Sequence, residues 1–113
     1  MSVSVITAFL NEEKNLPELF KNIRGAVDEI IVLDGNSDDR TKEVAESLGA
    51  RYVLRRPEDW ERTSEYCTNY YMALAKNDWI LGIDTDERLE EDLKKALKSL
   101  ASDGRYSAYR FRL

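Results

Sequence analysis

The chain has 113 residues, 42% hydrophobic and 35% charged, with five glycines and two prolines. That suits one compact domain spanning 1–113 and excludes collagen-like, low-complexity and strongly disordered classes. Seventeen basic against twenty-two acidic residues leave a formal charge of -5, which argues against nucleic-acid binding by broad phosphate neutralisation but not against one nucleotide whose charge a metal ion offsets.

The first apolar segment, Val3 to Phe9, is β-rich and only partly alternating, as expected of a strand covered on both faces. A polar N-E-E-K-N turn follows. Asn15 is a candidate helix cap, with Pro17 in the first turn and Glu18 placed as a capping-box acid. Leu16, Leu19, Phe20, Ile23 and Val27 then recur at helical spacing, and Gly25 marks the end of that helix. Glu29 to Asp34 reads as a buried strand, four apolar residues bounded by charge. After the polar G-N-S-D-D-R-T loop, Asp38 or Asp39 can cap a second helix with Val44, Ala45 and Leu48 as its stripe and Gly49 as its stop.

Ala50 to Leu54 predicts a third strand, followed by a charged loop in which Pro57 forbids a central strand. Arg55, Arg56 and Arg62 there read equally as phosphate contacts or as compensation of neighbouring acids, and Trp60 as an aromatic covering the sheet edge or a cleft. A third helix capped by Thr63 would bury Tyr66, Cys67, Tyr70, Tyr71 and Leu74. Asp78 to Asp84 predicts a fourth strand, and Leu89, Leu93, Leu97 and Leu100 the most regular helical stripe. Tyr109, Phe111 and Leu113 alternate with arginines as a last strand. Helical connections of this length demand crossovers, so the fold class is α/β: an open, mostly parallel, Rossmann-like sheet flanked by helices. A domain that stops on a half-buried strand is expected to be part of a longer chain.

No histidine is present and Cys67 is the single cysteine. Imidazole catalysis, histidine-built zinc sites and an internal disulfide are therefore excluded. Neither a membrane-length apolar run nor a secretory leader is seen in the sequence, so cytoplasmic residence is the default expectation.

In open α/β sheets ligands bind outside the carboxyl ends of the strands. Three polar clusters fall there: Asn11-Glu12-Glu13, Asp34 to Thr41, and Asp84-Thr85-Asp86-Glu87. On an extended chain Asp84 and Asp86 point to one side, where they could share Mg²⁺ or Mn²⁺ over a diphosphate. The competing reading has Asp86 capping the next helix and Asp84 merely ending a strand. Asp34 could likewise close a strand before an ordinary Gly35-Asn36 turn, although that loop, Asn36 included, offers hydrogen-bonding groups at the ligand rim.

Val5-Ile6-Thr7-Ala8-Phe9-Leu10-Asn11-Glu12-Glu13, then Asp28 to Thr41, then Asp78 to Arg88, together resemble the family 2 glycosyltransferases, nearest to the bacterial lipopolysaccharide-core branch. The resemblance spans the chain but covers only the nucleotide-sugar half of that family's catalytic domain. It implies the GT-A fold and transfer of a sugar, with inversion, from a nucleotide donor to an acceptor glycan, a lipid-linked saccharide or another hydroxyl compound. It implies that Asp86 coordinates Mg²⁺ or Mn²⁺ on the donor diphosphate, that Asp84 lies near the ribose or sugar and supports the metal, and that Asp34 helps bind the nucleoside. Thr7 to Glu12, including Phe9 and Asn11, would line base and ribose. Peripheral membrane association of the full enzyme belongs to the same expectation, and an exposed sheet edge can pair the chain with itself as a homodimer.

The departures matter. Gly35 stands where some members carry a second aspartate that reads the base, and Thr68-Asn69 where an Arg-Asn pair is common. The family's catalytic base lies beyond Leu113, and Glu87 is a poor substitute. The alternative function is a non-catalytic nucleotide or nucleotide-sugar binding module. A receiver-like signalling domain is disfavoured because its third strand should end in an aspartate, whereas here Arg55-Arg56 follow.

Overall fold

A computed structural model describes residues 2–60, 70–103 and 105. Four strands, β1 (Val3–Phe9), β2 (Glu29–Asp34), β3 (Arg51–Leu54) and β4 (Trp79–Gly82), form one sheet in the order β3-β2-β1-β4. All three pairings are parallel, with Phe9 beside Asp34, Asp34 beside Leu54, and Ile6 beside Gly82. Among the described residues three α-helices of more than one turn accompany it: α1 (Asn15–Ile23), α2 (Thr41–Ser47) and α3 (Glu91–Ser102).

The central strand explains the layering. Every residue of β1 is buried, so its two faces both meet protein, and side chains alternate between them. Val5 packs with Leu19 and Ile23 of α1 and Leu97 of α3, while Phe9 packs with Leu16, Phe20, Val32 and Ala45 of α2. Ile6 and Ala8 point to the opposite layer, where Tyr71 covers them together with Ile31 and Leu33. These three helices thus share one face, and Tyr71, Leu74 and Ala75, between β3 and β4, pack on the other. A right-handed crossover demands that change of face when the chain reverses direction across the sheet.

The predicted β2 boundaries match those observed. The strand expected over 50–54 begins one residue later, and the fourth strand is shorter than the predicted 78–84. Gly25 and Gly49 both sit at φ +86 just past α1 and α2, the left-handed stop that glycine adopts without penalty. Asn15 does not cap α1; it is the first helical residue, and its amide and that of Leu16 donate to the Glu12 carbonyl, so the turn closes earlier than the Asn15–Glu18 spacing suggested. Neither Asp38 nor Asp39 holds the cap position of α2, which is Arg40; Asp39, one residue earlier, accepts the Thr41 N–H at 2.9 Å, and the Asp38 amide donates to Asn11.

The expected third helix falls mostly outside the described residues, including Arg62, Thr63, Tyr66, Cys67 and the Thr68-Asn69 pair, as does the strand expected from Tyr109 to Leu113. Of its predicted buried face, Tyr71 is buried but Tyr70 is half exposed. Tyr70 instead meets Tyr71 edge-on and lies under the Arg56 guanidinium at 3.9 Å, a contact that keeps an aromatic at the surface. In the predicted α3 stripe, Leu97 is buried, Leu93 and Leu100 are half-buried, and Leu89 lies buried ahead of the helix.

Candidate functional site

Strand order 3-2-1-4 means that the chain leaves β1 toward β2 on one side and returns beside β1 on the other. The crevice above the carboxyl ends of β1 and β4 is therefore the topological switch point, where open parallel sheets bind ligands. The loops after β1, β2 and β4 all leave the sheet at this rim.

Asp34 ends β2 and is buried, with 1% of its surface accessible. Its carboxylate is fully engaged. Ser37 donates to Oδ1 through both its amide (2.9 Å) and its hydroxyl (2.5 Å), and the Tyr52 hydroxyl of β3 donates to Oδ2 at 2.5 Å. Burial, then the Asp34 hydrogen bond and charge, hold the Tyr52 phenol protonated far above its ordinary range. Ser37 Oγ in turn accepts the Asn11 amide at 2.7 Å, and the Asp38 amide donates to Asn11 Oδ1 at 2.9 Å. The Glu12 amide donates to Thr41 Oγ1. The loops after β1 and β2 are thereby stitched into one ledge. Asn11 and Asn36 hold left-handed backbone, φ 55 and 74, which asparagine tolerates better than most residues.

The segment after β4 is a turn rather than extended chain. The Glu87 amide donates to the Asp84 carbonyl at 3.0 Å, and the Asp84 amide donates to Glu87 Oε1 at 2.9 Å. Thr85 is buried between two exposed aspartates. This corrects the expectation of an extended Asp-Thr-Asp unit: the turn, not strand alternation, presents Asp84 and Asp86 outward. It also removes helix capping as an explanation for Asp86, because α3 starts at Glu91 with Glu90 at its cap position. Partial desolvation, then the charges of Glu87 and Asp86, push the Asp84 carboxyl above its ordinary value of 3.8.

Among the described residues there is no group of three or more acidic or cysteine side chains that could cage a metal. The donor set is nonetheless the right kind for Mg²⁺ or Mn²⁺: hard carboxylate oxygens, crowded enough to repel one another. Nucleotide enzymes hold Mg²⁺ by one or two carboxylates and the substrate's phosphates, not by all-protein cages.

The remaining sequence candidates divide by depth. Asn11 and Asn36 are exposed at the rim, and Glu12 is half-buried, its carboxylate accepting from Asn15 Nδ2 at 2.6 Å. Phe9 is a core residue beneath them. Thr7 is buried in β1, and its hydroxyl lacks a hydrogen-bond partner among the described residues. Arg55 is not a surface counter-charge. It is 4% exposed, donates to the Trp60 carbonyl, and its guanidinium lies 2.2 Å from where a Cβ on Gly35 would be. A Cβ at Gly35 would have to displace the end of that side chain. Trp60 closes the same loop by donating its indole N–H to the Arg55 carbonyl at 2.6 Å. Tyr52, Ser37 and Arg55 had no sequence signature as site supports, because each acts on a residue distant from it or through backbone.

A cleft of about 470 Å³ lies at the other, amino edge of the sheet, lined by Arg24, Asp28, Glu29, Arg51 and Lys76 among others. Its acids are already engaged: Asp28 accepts the Val3 amide, and Glu29 accepts Ser4 Oγ and the Lys76 amide. No sequence candidate lines it, and it sits away from the switch point.

The chain is similar to known proteins over most of its length. The family model described as glycosyl transferase family 2 matches residues 4–112. An uncharacterized glycosyltransferase of Rickettsia bellii is 32% identical over 114 residues, covering 96% of this chain and 37% of that protein. Dolichol-phosphate mannosyltransferase of Pyrococcus furiosus is 44% identical over 66 residues, covering 52% of this chain and 19% of its own length. Glucosyl-3-phosphoglycerate synthase of Mycobacterium tuberculosis, solved with Mn²⁺ and UDP-glucose, superposes with a TM-score of 0.61 at 30% identity, over 75% of this chain and 33% of that one. The chain therefore spans little more than a third of the relatives that cover it best.

Two measurements check the site. Tyr52→Phe leaves Oδ2 of a buried carboxylate short of a donor and is expected to cost about 1–3 kcal/mol in urea unfolding; an unchanged midpoint would show that Asp34 does not rely on it. Because the folded-state pKa of Asp84 is raised, its stabilising contribution is present below pH 3.8 and is lost as pH rises through the folded value. Asp84→Asn should therefore melt higher than the parent at pH 7, with the gap closing at pH 3. A gap that is constant with pH would contradict the crowding.

Proposed function

The chain belongs to glycosyl transferase family 2, and on that footing we propose that its carboxyl rim binds a nucleotide-sugar through Mg²⁺ or Mn²⁺ and that the complete protein transfers the sugar to an acceptor hydroxyl with inversion. The observation that carries this reading is the pair of exposed aspartates, Asp84 and Asp86, crowded on a turn at the switch point. Crowded carboxylates repel a bare diphosphate; a divalent ion between them turns repulsion into attraction.

In this reading Asp86 is the metal ligand, and Asp84 supports the metal from the side of the ribose or sugar. Asn11 and Asn36 offer polar side chains to the nucleoside from the ledge. Thr7 and Phe9 act from below as its floor, and Glu12 from the turn that anchors α1. Asp34, buried and fully hydrogen-bonded, contributes by fixing Ser37 and the loop, not by direct contact. The acceptor oxygen attacks the anomeric carbon as the bond to the diphosphate breaks and its electron pair leaves with the diphosphate. The acceptor proton passes to a base, a role that none of the described residues is assigned. When bound, the metal supplies positive charge to the departing diphosphate.

Solved relatives holding UDP and Mn²⁺ support this donor class, and the three rim segments favour the lipopolysaccharide-core branch of the family. Glycan, lipid-linked saccharide or another hydroxyl compound fits the acceptor side. Among the described residues no helix is long and apolar enough to cross a membrane; peripheral membrane association of the full protein and self-pairing through the sheet edge belong to the same proposal.

Calorimetric titration with UDP in Mn²⁺ and again in EDTA tests the reading. Binding is expected to tighten with Mn²⁺, and Asp86→Ala to remove about tenfold or more of that gain. Affinity indifferent to Mn²⁺ in the parent would contradict it. Metal-dependent binding with no sugar transfer from the full-length protein to any hydroxyl acceptor would favour a binding module.

A further inference from the structure

The turn carrying Asp84 and Asp86 must be held still for two carboxylates to define a metal site, and the residue that holds it lies on α1. Asn22 is half-buried on the side of α1 facing the β4–α3 connection. Its Nδ2 donates to the Leu89 carbonyl at 3.0 Å, and the Leu89 amide donates to its Oδ1 at 2.7 Å. A single amide side chain thus pairs with both polar groups of one backbone residue, 67 positions away in the sequence, as a neighbouring strand would. The main chain of Asn22 is used as well: its carbonyl accepts Lys94 Nζ at 2.9 Å, and Lys94 also pairs with Glu91 in the first turn of α3.

These contacts bracket the aspartates. Upstream, the Ile83 amide donates to Ile6 of β1 at 3.4 Å. Between the brackets the turn closes on itself, Asp84 with Glu87, and Arg88 donates to the Thr85 and Glu87 carbonyls. Downstream, Leu89 is buried against Val5, Leu19 and Ile23, with Asn22 gripping its backbone. Apolar burial alone fixes where Leu89 sits but leaves its peptide free to rotate; the paired hydrogen bonds fix that rotation and so the direction from which the chain leaves the turn.

We propose that Asn22 is a positioning residue for the metal-bearing turn, setting the separation of Asp84 and Asp86 through Leu89 and touching neither metal nor donor. This rests on the donor-site reading above. Outer partners that orient metal ligands typically govern about 10–100-fold in metal affinity, and that is the scale expected here.

The test compares the parent, Asn22→Ala, Asn22→Asp and Ser4→Ala, the last removing a buried hydroxyl that bonds Glu29 at the amino edge. Two readouts are taken on each: Mn²⁺ binding in saturating UDP, from loss of the free-ion EPR signal, and hydrogen exchange of the Leu89 amide by NMR. Asn22→Ala should bind Mn²⁺ about tenfold or more weakly with UDP affinity in EDTA unchanged, and its Leu89 amide should exchange faster. Asn22→Asp keeps the acceptor for that amide and should fall between. Ser4→Ala should leave both readouts at parental values. Unchanged Leu89 exchange in Asn22→Ala would overturn the clamp itself. Equal losses of Mn²⁺ and of metal-free UDP binding would reduce Asn22 to general stability and overturn its metal role. A parent that binds neither UDP nor Mn²⁺ would overturn the donor-site reading, whereas a parent that binds both beside an indifferent Asn22→Ala would overturn only this inference.

Discussion

A carboxylate buried at the end of a strand must have its oxygens hydrogen-bonded or it destabilises the fold by about 1–3 kcal/mol or more. Asp34 meets that demand by drawing partners from two sides: Tyr52 from the neighbouring strand, and Ser37 from its own loop. Ser37 then reaches Asn11 after β1. One desolvated charge therefore dictates how three segments meet, and the ledge above the sheet follows from satisfying it. The Arg55 guanidinium lies close against Gly35, the residue after Asp34 in the same loop.

The other half of the rim is built on a different principle. Asp84 and Asp86 are exposed, and the charges of Asp86 and Glu87 act against ionisation of Asp84. Their position comes from outside: parallel pairing of β4 to β1, burial of Thr85 and Leu89, and the Asn22 clamp. In the proposed donor-site reading, a pair of acids that waits on a cation has to be held by its surroundings, which is the common trade of stability for function. The two halves meet because the chain reverses direction across the sheet between β3 and β4.

Much of this was legible in the residues. Glu29 to Asp34 announced itself by an apolar run bounded by charge, and Gly25 and Gly49 by their place after apolar stripes. Parallel topology followed from the length of the crossovers. What was not legible depends on tertiary partners. Asn15 looked like a cap because spacing to Glu18 is a local rule, but the Glu12 carbonyl had already closed the turn. Tyr70 fitted a buried helical face until Arg56 gave it a partner at the surface. Asp34 read as a ligand-facing acid, since a sequence shows that a strand ends in aspartate but not that Tyr52 and Ser37 enclose it. Asn22 was invisible for the same reason: its partner is 67 residues distant. The convergence of the three loops on one rim followed from the open parallel topology, and the family resemblance added only the roles of their residues.

The central claim is that the carboxyl rim, not the amino-edge cleft, receives a metal-bound diphosphate. Paramagnetic broadening of backbone NMR signals by substoichiometric Mn²⁺ in the presence of UDP tests it most directly. The amides of Asp84 to Glu87 should vanish first and those of Asn11 and Asn36 to Asp38 next, with Arg24, Glu29 and Arg51 unaffected. Broadening centred on the amino edge, or spread evenly over the acidic surface, would contradict it.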